Sequence, residues 1–188
     1  LQRAKNARGA VAALTSEEKN NALNAMAQAL LSHQGEILTA NELDLQAAQS
    51  HISPVMLDRL KLTPERIAAM AQGIRDLIPL PDPVGRILDS HTRADGLEIQ
   101  KVAIPMGVVA IIYESRPNVT SDAAALALKS GNVCVLRSGK EAFRSAKAIV
   151  EALRSGLQAQ GVTPDAVNLV EDTSRESARE LMTANGYI

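Results

Sequence analysis

The sequence predicts an α/β protein that contains a parallel sheet, with a layer of helices and a β-hairpin arm before it. After residue 105, short apolar segments rich in β-branched residues alternate with longer helical segments, as in parallel sheets that helices cover on both faces. Before residue 80, apolar residues recur every three or four positions, as in amphipathic helices. With 188 residues, of which 46% are apolar, the chain can bury one substantial core.

Residues 1–83 are predicted to be helical and to pack on the domain that follows. Thr15 and Glu18 have the spacing of a capping box. Ser53-Pro54 is typical of the start of a short helix and Thr63-Pro64 of the start of a longer one. The prolines of segment 79–83 then end the helical region, because proline lacks an N–H donor and favours extended geometry in the preceding residue.

Residues 84–104 are predicted to form a β-hairpin. Two segments typical of strands, 84–88 and 97–104, flank Asp95-Gly96, a dipeptide that favours tight turns. A two-stranded ribbon is only marginally stable alone, so we expect it to lie along another sheet or another subunit. The hairpin is therefore the candidate oligomerisation arm.

Residues 105–188 are predicted to form the strand and helix units of the parallel sheet, connected by right-handed crossovers. The expected strands are 108–112, 133–136 and 167–170, and the expected helices are 121–129, 142–160 and a third from about Ser174. The chain starts without Met and stops at Gly186-Tyr187-Ile188, where an apolar segment begins. We therefore expect it to be part of a longer protein.

Composition argues against several classes of partner. A net charge of -1 gives no basic surface for nucleic acid or anionic membrane, and aromatic residues make up only 2% of the chain, too few for base-stacking platforms. No apolar run approaches the length of a membrane span. The single cysteine excludes an internal disulfide and fits a reducing compartment, so we expect a cytoplasmic protein.

Neither the cysteine nor the histidines predict a reactive or metal site. Cys134 stands between two valines of an expected strand, where a thiol behaves as a small hydrophobic group. The histidines lie far apart, without a cysteine partner or metal-ligand spacing, and no metal is expected: His33, His51 and His91.

Polar groups follow two successive strands of the predicted sheet. The first strand is followed by Glu114, Ser115, Arg116 and Asn118, and the second by Arg137, Ser138, Gly139 and Lys140. Ligands of open α/β sheets bind beyond the carboxyl ends of the strands, and neighbouring parallel strands end at the same edge. We therefore expect both groups to border one binding crevice.

The residue types in this crevice suit an anionic ligand. The segment 137–140 fits phosphate or ribose oxygens, Arg116 could clamp a carboxylate or phosphate, and Asn118 could donate to a developing oxyanion. The alternatives are a solvated turn at 137–140, a loop-shaping or capping role for Asn118, and pairing of Arg116 with Glu114 or Asp122. Neither a Gly-x-Gly-x-x-Gly turn nor a Walker A loop is present, so the usual Rossmann and P-loop nucleotide sites are not predicted.

Several segments closely resemble the gamma-glutamyl phosphate reductase family of the aldehyde dehydrogenase superfamily. They are 56–60, 82–85, 104–108, 113–120, 129–132 and 136–142, of which the string Tyr-Glu-Ser-Arg-Pro-Asn at 113–118 is distinctive. The resemblance implies a Rossmann-like sheet of the aldehyde dehydrogenase type, with 105–188 as an incomplete NADPH-binding domain. It also implies NADPH-dependent reduction of L-glutamate 5-phosphate to L-glutamate 5-semialdehyde and phosphate, in proline biosynthesis.

The resemblance further implies where the chemistry lies. In that family a cysteine of a separate domain attacks the acyl phosphate, and hydride then reduces the thioester. Cys134 does not match that cysteine, so no catalytic residue of this kind is expected in the chain, which alone should be inactive. The resemblance also implies a homo-oligomer and makes glutamate 5-kinase a candidate partner.

The same resemblance assigns individual residues. Arg137 matches a lysine directed at the adenosine ribose, with Ser138, Gly139 and Lys140 close by. Counting back from Gly131-Asn132 without a gap places Glu114 where many relatives have an oxyanion-binding asparagine, whereas a shift of four residues brings Asn118 there. Arg116 and Asn118 are expected near the substrate, and Glu114 is expected with segment 137–140 at the cofactor.

Two other classes of function stay open at this level. One is a noncatalytic nucleotide-binding or oligomerisation module, in which the cations after the strands hold a phosphate and the hairpin recruits a partner. The other is a purely structural assembly domain.

Overall fold

The computed structural model describes all 188 residues and contains eight α-helices and five β-strands. The helices are α1 (Gln2–Ala12), α2 (Ser16–Ser32), α3 (Gln34–Ala48), α4 (Pro54–Leu60), α5 (Pro64–Asp76), α6 (Asn118–Lys129), α7 (Phe143–Ala159) and α8 (Arg175–Met182). The strands are β1 (Ile87–Thr92), β2 (Glu98–Val102), β3 (Val108–Ile112), β4 (Val133–Arg137) and β5 (Val167–Leu169). Their order is the predicted one: helices, a hairpin, then alternating strands and helices.

The last three strands form a parallel sheet in the order β3-β4-β5. Val108 pairs with Val133, and Cys134 pairs with Val167, so the strands run in step from their amino ends. Helix α6 connects the first two strands and α7 the second and third. The α/β class is therefore confirmed, and each predicted strand of this sheet is correct to within one residue at its ends.

Helix α6 begins three residues earlier than the sequence pattern predicts, at Asn118 instead of Ser121. Pro117 at its N-cap position already has helical dihedral angles, φ -57° and ψ -33°. The fixed φ of proline suits the beginning of a helix, whereas Asn, Val and Thr have low intrinsic helix propensity. The geometry imposed by Pro117 therefore extends the helix to residues that the periodicity does not include.

The predicted helix starts in the N-terminal region are confirmed. The Thr15 hydroxyl accepts a hydrogen bond from the Glu18 N–H at 3.2 Å, and the Glu18 carboxylate accepts one from the Thr15 N–H at 2.7 Å, which completes the capping box. Ser53 caps α4 and Thr63 caps α5, each through a side-chain oxygen that accepts one backbone N–H of the first turn. Each side chain satisfies a backbone N–H that would otherwise lack a partner.

One hydrophobic core of 34 buried residues joins the N-terminal helices to the sheet. Helix α2 packs against both α5 and α7. The α2–α7 contact is close because it includes Gly156, where a Cβ atom would lie 2.7 Å from the Ala25 carbonyl oxygen. Helices α1, α2, α3 and α5 and the three parallel strands therefore bury their apolar faces against one another, whereas Leu60 of α4 packs in a separate small cluster with Ala48 and Ala142.

The segment before the hairpin is held by a buried ion pair. Lys19 is 1% exposed, and its Nζ lies 2.8 Å from Oδ2 of Asp82. The Asp82 carboxylate also accepts hydrogen bonds from the Ser16 hydroxyl at 2.8 Å and the Val84 N–H at 2.9 Å. These contacts fix the chain where it leaves the helices and enters the hairpin.

The hairpin forms its own antiparallel sheet, in which every residue of β1 and β2 is exposed. Strand β1 covers Ile87–Thr92, so the predicted span of 84–88 was placed too early. The turn explains the difference, because Arg93 and Leu97 close it with a 2.9 Å hydrogen bond and Thr92 must therefore pair with Glu98. Polar residues 89–92 carry no alternating apolar pattern, so the sequence did not mark them as a strand.

No helix of the chain combines the length and apolarity that crossing a membrane requires.

Candidate functional site

The two polar segments that follow β3 and β4 meet at one edge of the sheet. Ile112 pairs with Arg137 at the ends of these strands, and the Tyr113 N–H continues the ladder with a 3.0 Å hydrogen bond to the Arg137 carbonyl. Beyond that point, a Cβ atom on Gly139 would lie 3.5 Å from the backbone of Glu114. The contact expected from the parallel topology is present, and the two polar loops lie side by side at this edge of the sheet.

Arg137 connects the second of these segments to the loop after β5. Its Nη2 donates hydrogen bonds to the carbonyl oxygens of Thr173 at 2.6 Å and Ser174 at 2.8 Å. Its Nε is buried and has no hydrogen-bond partner. One edge of the guanidinium is therefore held by the protein, while the Nε donor is left for another group.

Ser138 provides the second unpartnered group at this position. The residue is 1% exposed, and its hydroxyl oxygen has no hydrogen-bond partner. A buried polar atom without a partner costs free energy on the order of 1–3 kcal/mol, so this hydroxyl would gain from a partner that the chain itself does not provide. The side chains of Arg137 and Ser138 thus fit a ligand that carries phosphate or ribose oxygens, as a dinucleotide does.

Gly139 and Lys140 complete this segment. Gly139 is buried, and Lys140 begins a 3-10 turn over Lys140–Ala142 with its side chain exposed and in no ion pair. The turn leads directly into α7. Lys140 is therefore free to contact an anionic group that lies along the edge of the sheet.

The loop after β3 is fixed to α6 by a buried hydrogen bond. The hydroxyls of Tyr113 and Thr120 are hydrogen-bonded at 2.7 Å, and burial raises the pKa of Tyr113 to about 12. Ser115 is 4% exposed, whereas Glu114 and Arg116 are exposed on either side of it. This alternation presents the two charged side chains to solvent at the edge of the sheet.

Two of the alternative roles considered for this loop can be compared with the structure. Arg116 makes no ion pair with Glu114 or Asp122, so its guanidinium is free. Asn118 does not cap α6, because Pro117 occupies the N-cap position; its Nδ2 instead donates to Asp122 Oδ2 at 3.2 Å. One amide hydrogen of Asn118 is used in this contact, and the other has no partner within the chain.

Two neighbouring clefts, not foreseen from the sequence, lie beside the loop. The larger, about 530 Å³, includes Arg59, Lys61, Arg66, Arg116, Asn118 and Asp122 in its lining. The smaller, about 320 Å³, is lined by Met56, Arg59, Glu114, Ser115 and Arg116. Arg59 and Arg116 border both clefts. Sequence reasoning missed Arg59 because a cation on a short amphipathic helix is indistinguishable from an ordinary solvated side chain.

Arg66 stabilises the wall of the larger cleft. Arg66 donates through Nη2 to Asp58 Oδ1 at 2.9 Å and through Nη1 to the Lys61 carbonyl at 2.6 Å, and Nη1 also contacts the Asp58 carbonyl. These bonds join the end of α4 to the start of α5. Arg66 is therefore a structural residue of the cleft, whereas Arg59 makes no hydrogen bond or ion pair within the chain.

Cys134 lies inside the core, as predicted. The residue is 0% exposed, and burial raises the pKa of its thiol to about 12. A thiol that stays protonated and inaccessible cannot act as a nucleophile. The chain also has no group of three or more His, Cys, Asp or Glu side chains that could hold a metal ion.

The match of this chain to a known family identifies the class of protein. Residues 1–187 match the sequence profile of the Aldehyde dehydrogenase family, and the chain belongs to that family. Within it, the chain is 64% identical over 174 residues to the gamma-glutamyl phosphate reductase of Streptococcus suis (strain 05ZYH33), covering 93% of this chain and 42% of the relative. It is 56% identical over 188 residues to the gamma-glutamyl phosphate reductase of Neisseria meningitidis serogroup A, covering 100% of this chain and 45% of the relative.

A solved structure gives the same result. The crystal structure of gamma-glutamyl phosphate reductase from Thermotoga maritima superposes with a TM-score of 0.93 at 40% identity, covering 96% of this chain and 44% of that one. The resemblance seen in the sequence motifs is therefore confirmed, and the Rossmann-like sheet is of the aldehyde dehydrogenase type. The chain spans less than half the length of these relatives.

Proposed function

We propose that the full-length protein containing this chain reduces L-glutamate 5-phosphate with NADPH, giving L-glutamate 5-semialdehyde and phosphate in proline biosynthesis. The observation that carries this proposal is the contact between the two polar loops at the edge of the sheet. One loop has unpartnered groups suited to a dinucleotide, and the other has a free cation suited to an anionic substrate. The 64% identity to a gamma-glutamyl phosphate reductase supports the same reaction.

The loop after β4 forms the cofactor side in this proposal. The Arg137 Nε and the Ser138 hydroxyl are available to ribose or phosphate oxygens, and Lys140 adds an exposed positive charge. Gly139 lies next to the backbone of Glu114, which borders the cofactor from the other side. NADPH would supply the hydride; the residues of this chain bind it and fix its position relative to the loop after β3.

The loop after β3 forms the substrate side. Arg116 is exposed and unpaired, so it can bind an anionic group of the substrate. Of the two residues considered for the oxyanion position, Asn118 retains an unpartnered amide hydrogen, whereas an ionised Glu114 has no hydrogen to donate. The donor requirement of an oxyanion site therefore supports Asn118.

The nucleophile of the proposed reaction must be a residue other than Cys134. The thiol of Cys134 is enclosed on β4 and its raised pKa keeps it protonated near neutral pH. We propose that a cysteine outside these 188 residues attacks the acyl phosphate. The residues described above would then position the two reactants without taking part in bond formation.

The test measures the reaction of the full-length protein in reverse, as phosphate-dependent reduction of NADP⁺ by L-glutamate 5-semialdehyde. We expect Lys140→Gln to raise the KM for NADP⁺ several-fold and to leave the KM for the aldehyde unchanged, because one charge-assisted contact is lost. Arg179→Gln on exposed α8 is the matched control. Absence of turnover by the full-length protein would refute the proposal, and turnover by the 188 residues alone would refute the external nucleophile.

The exposed hairpin supports a second role, in assembly. Both strands are exposed along their whole length and carry apolar residues, among them Ile87 and Val102. We propose that the hairpin joins copies of the protein into a homo-oligomer. Association with glutamate 5-kinase and a cytoplasmic location stay predictions.

A further inference from the structure

The larger cleft beside the loop after β3 contains unpaired charges of both signs. Arg59 projects from α4, Arg116 from the loop and Asp122 from α6, and all three border a volume of about 530 Å³. None of the three forms an ion pair within the chain. The other carboxylate of the cleft, Asp58, is already paired with Arg66 at 2.9 Å.

Asp122 is the unusual member of this cleft. The residue is exposed at the cleft wall, yet the surrounding protein removes enough water from its carboxyl group to raise its pKa, and the hydrogen bond from Asn118 offsets this only in part. A carboxylate in this position would gain from a cation, and the chain provides none. A ligand that carries an ammonium group would provide one.

The positions of the two free arginines indicate how the ligand would be oriented in the cleft. Arg59 and Arg116 also border the smaller cleft at the end of β3, where Glu114 and Ser115 lie, but Asp122 does not. Glu114 lies next to Gly139, which belongs to the proposed cofactor loop. A ligand whose reacting end lies next to Glu114 would therefore extend past the arginines, with its far end at Asp122.

We propose that this cleft selects the α-amino-acid end of the substrate, with Arg59 and Arg116 on the α-carboxylate and Asp122 on the α-ammonium group. The inference rests on the proposed function, since it assigns the specificity of the same site. Glutamate carries a carboxylate and an ammonium group on one carbon, and the cleft offers the free cations Arg59, Arg116 and Lys61 and one free carboxylate. Arg59 and Asp122 are thereby assigned as specificity residues, and neither was foreseen from the sequence.

The experiment uses the full-length protein and three aldehydes in the reverse direction, in which aldehyde, phosphate and NADP⁺ give the acyl phosphate, NADPH and a proton. L-glutamate 5-semialdehyde has both head groups, 5-oxopentanoate lacks the ammonium group, and pentanal lacks both. We expect Asp122→Asn to lower kcat/KM roughly tenfold or more for the amino acid only. We expect Arg59→Gln to lower kcat/KM for both acids and to leave kcat/KM for pentanal unchanged.

Each competing explanation predicts a different experimental result. If Asp122→Asn lowers kcat/KM equally for the amino acid and 5-oxopentanoate, the assignment of Asp122 is wrong. If Arg59→Gln raises the KM for phosphate and leaves the KM for the acids unchanged, the arginines bind phosphate and the inference is overturned. Asp76→Asn and Arg179→Gln, which change exposed residues outside the cleft, are the matched controls.

A binding measurement keeps the inference testable without turnover. Calorimetry should show that the full-length protein binds L-glutamate more tightly than glutarate, and that Asp122→Asn removes the difference. Equal binding of the two acids by the unmodified protein would overturn the inference. If the preference is found but no aldehyde is oxidised, the head-group site stands and the proposed reaction fails.

Discussion

A single buried carboxylate holds the start of α7, the helix that follows the proposed cofactor loop. Asp44 of α3 is 1% exposed, and its Oδ2 accepts hydrogen bonds from the N–H and the hydroxyl of Ser145 at 2.8 and 2.7 Å. Helix α7 has no capping side chain of its own at its N-cap position, Ala142. Asp44 therefore caps α7 from another helix, directly after the turn that contains Lys140.

We expect Asp44→Asn to lower the free energy of unfolding by about 1–3 kcal/mol. The amide keeps the shape of the carboxylate, but its NH2 group must face either the donors of Ser145 or those of Arg144, which bond the other oxygen of Asp44. Urea unfolding followed by circular dichroism would measure the change. Asp76→Asn, at an exposed position on α5, should be within about 0.5 kcal/mol of the unmodified protein. Equal stability of the two variants would contradict the capping role.

A second residue, Asp82, predicts how stability depends on pH. Burial raises the pKa of its carboxyl group. Hydrogen bonds from Lys19, the Val84 N–H and Ser16, together with the Lys19 charge, lower the pKa by a larger amount. The pKa in the folded chain is therefore below its usual value. The unfolded chain therefore binds this proton at a higher pH than the folded chain. The stabilisation from Asp82 is fully present above the unfolded pKa of about 4 and is lost as pH falls through the folded pKa.

We expect the difference in unfolding free energy between the unmodified protein and Asp82→Asn to be constant from pH 7 to about pH 5 and to shrink below about pH 4. Denaturant titrations at several pH values would measure it. Asp76→Asn again serves as the control and should show no comparable change, since its carboxylate lies outside the ion pair. A difference that grows on acidification would have the wrong sign for this explanation.

At the scale of elements, the α2–α7 contact depends on the absence of one side chain. A Cβ atom on Gly156 would lie 2.7 Å from the Ala25 carbonyl oxygen and 2.8 Å from the Cα of Met26, both backbone atoms that cannot rotate away. Gly9 of α1 and Gly73 of α5 have no such neighbour within 4 Å. The same substitution therefore has opposite consequences at these positions.

We expect Gly156→Ala to destabilise the chain by about 1–3 kcal/mol, because the two helices must separate and this outweighs a gain in helix propensity of up to about 1 kcal/mol. Gly73→Ala should be neutral or stabilising by up to about 1 kcal/mol. Thermal unfolding of the two variants would show midpoints that move in opposite directions. A stabilised Gly156→Ala variant would mean that the helices are less closely packed than described.

At the scale of the whole molecule, the hairpin stands apart from the core that the other elements share. Ile87 and Val102 form a cross-strand pair on this arm and are 53% and 42% exposed. Together they place apolar surface on a sheet that has no partner within the chain. An arm of this kind gains stability when a second copy covers it.

We expect Ile87→Ser combined with Val102→Lys to shift the full-length protein toward smaller species in sedimentation velocity, without a change in the circular dichroism of the core. The lost burial of apolar area explains the direction. Lys101→Gln, on the opposite face of the same ribbon, is the control. An unchanged assembly state would remove the hairpin from consideration as the oligomerisation arm.

Much of the fold could be predicted because it depends on neighbouring residues. The capping box of Thr15 and Glu18, the three parallel strands and the order of elements all follow from spacings of a few positions. The meeting of the two polar loops also follows, since parallel strands end at one edge. The start of α6 and the position of β1 could not be predicted, because Pro117 and the Arg93–Leu97 turn override weak local patterns.

The sequence alone therefore determined the class of fold, the two loops that border the site, the buried state of Cys134 and the family. Only the tertiary structure decided which side chains have partners. Asp44 caps a helix that begins about one hundred positions later, Arg59 joins Arg116 at one cleft, and the Ser138 hydroxyl is left without a partner. The physical reason is that local chemistry fixes where an element begins, whereas contacts between distant residues depend on how whole elements pack.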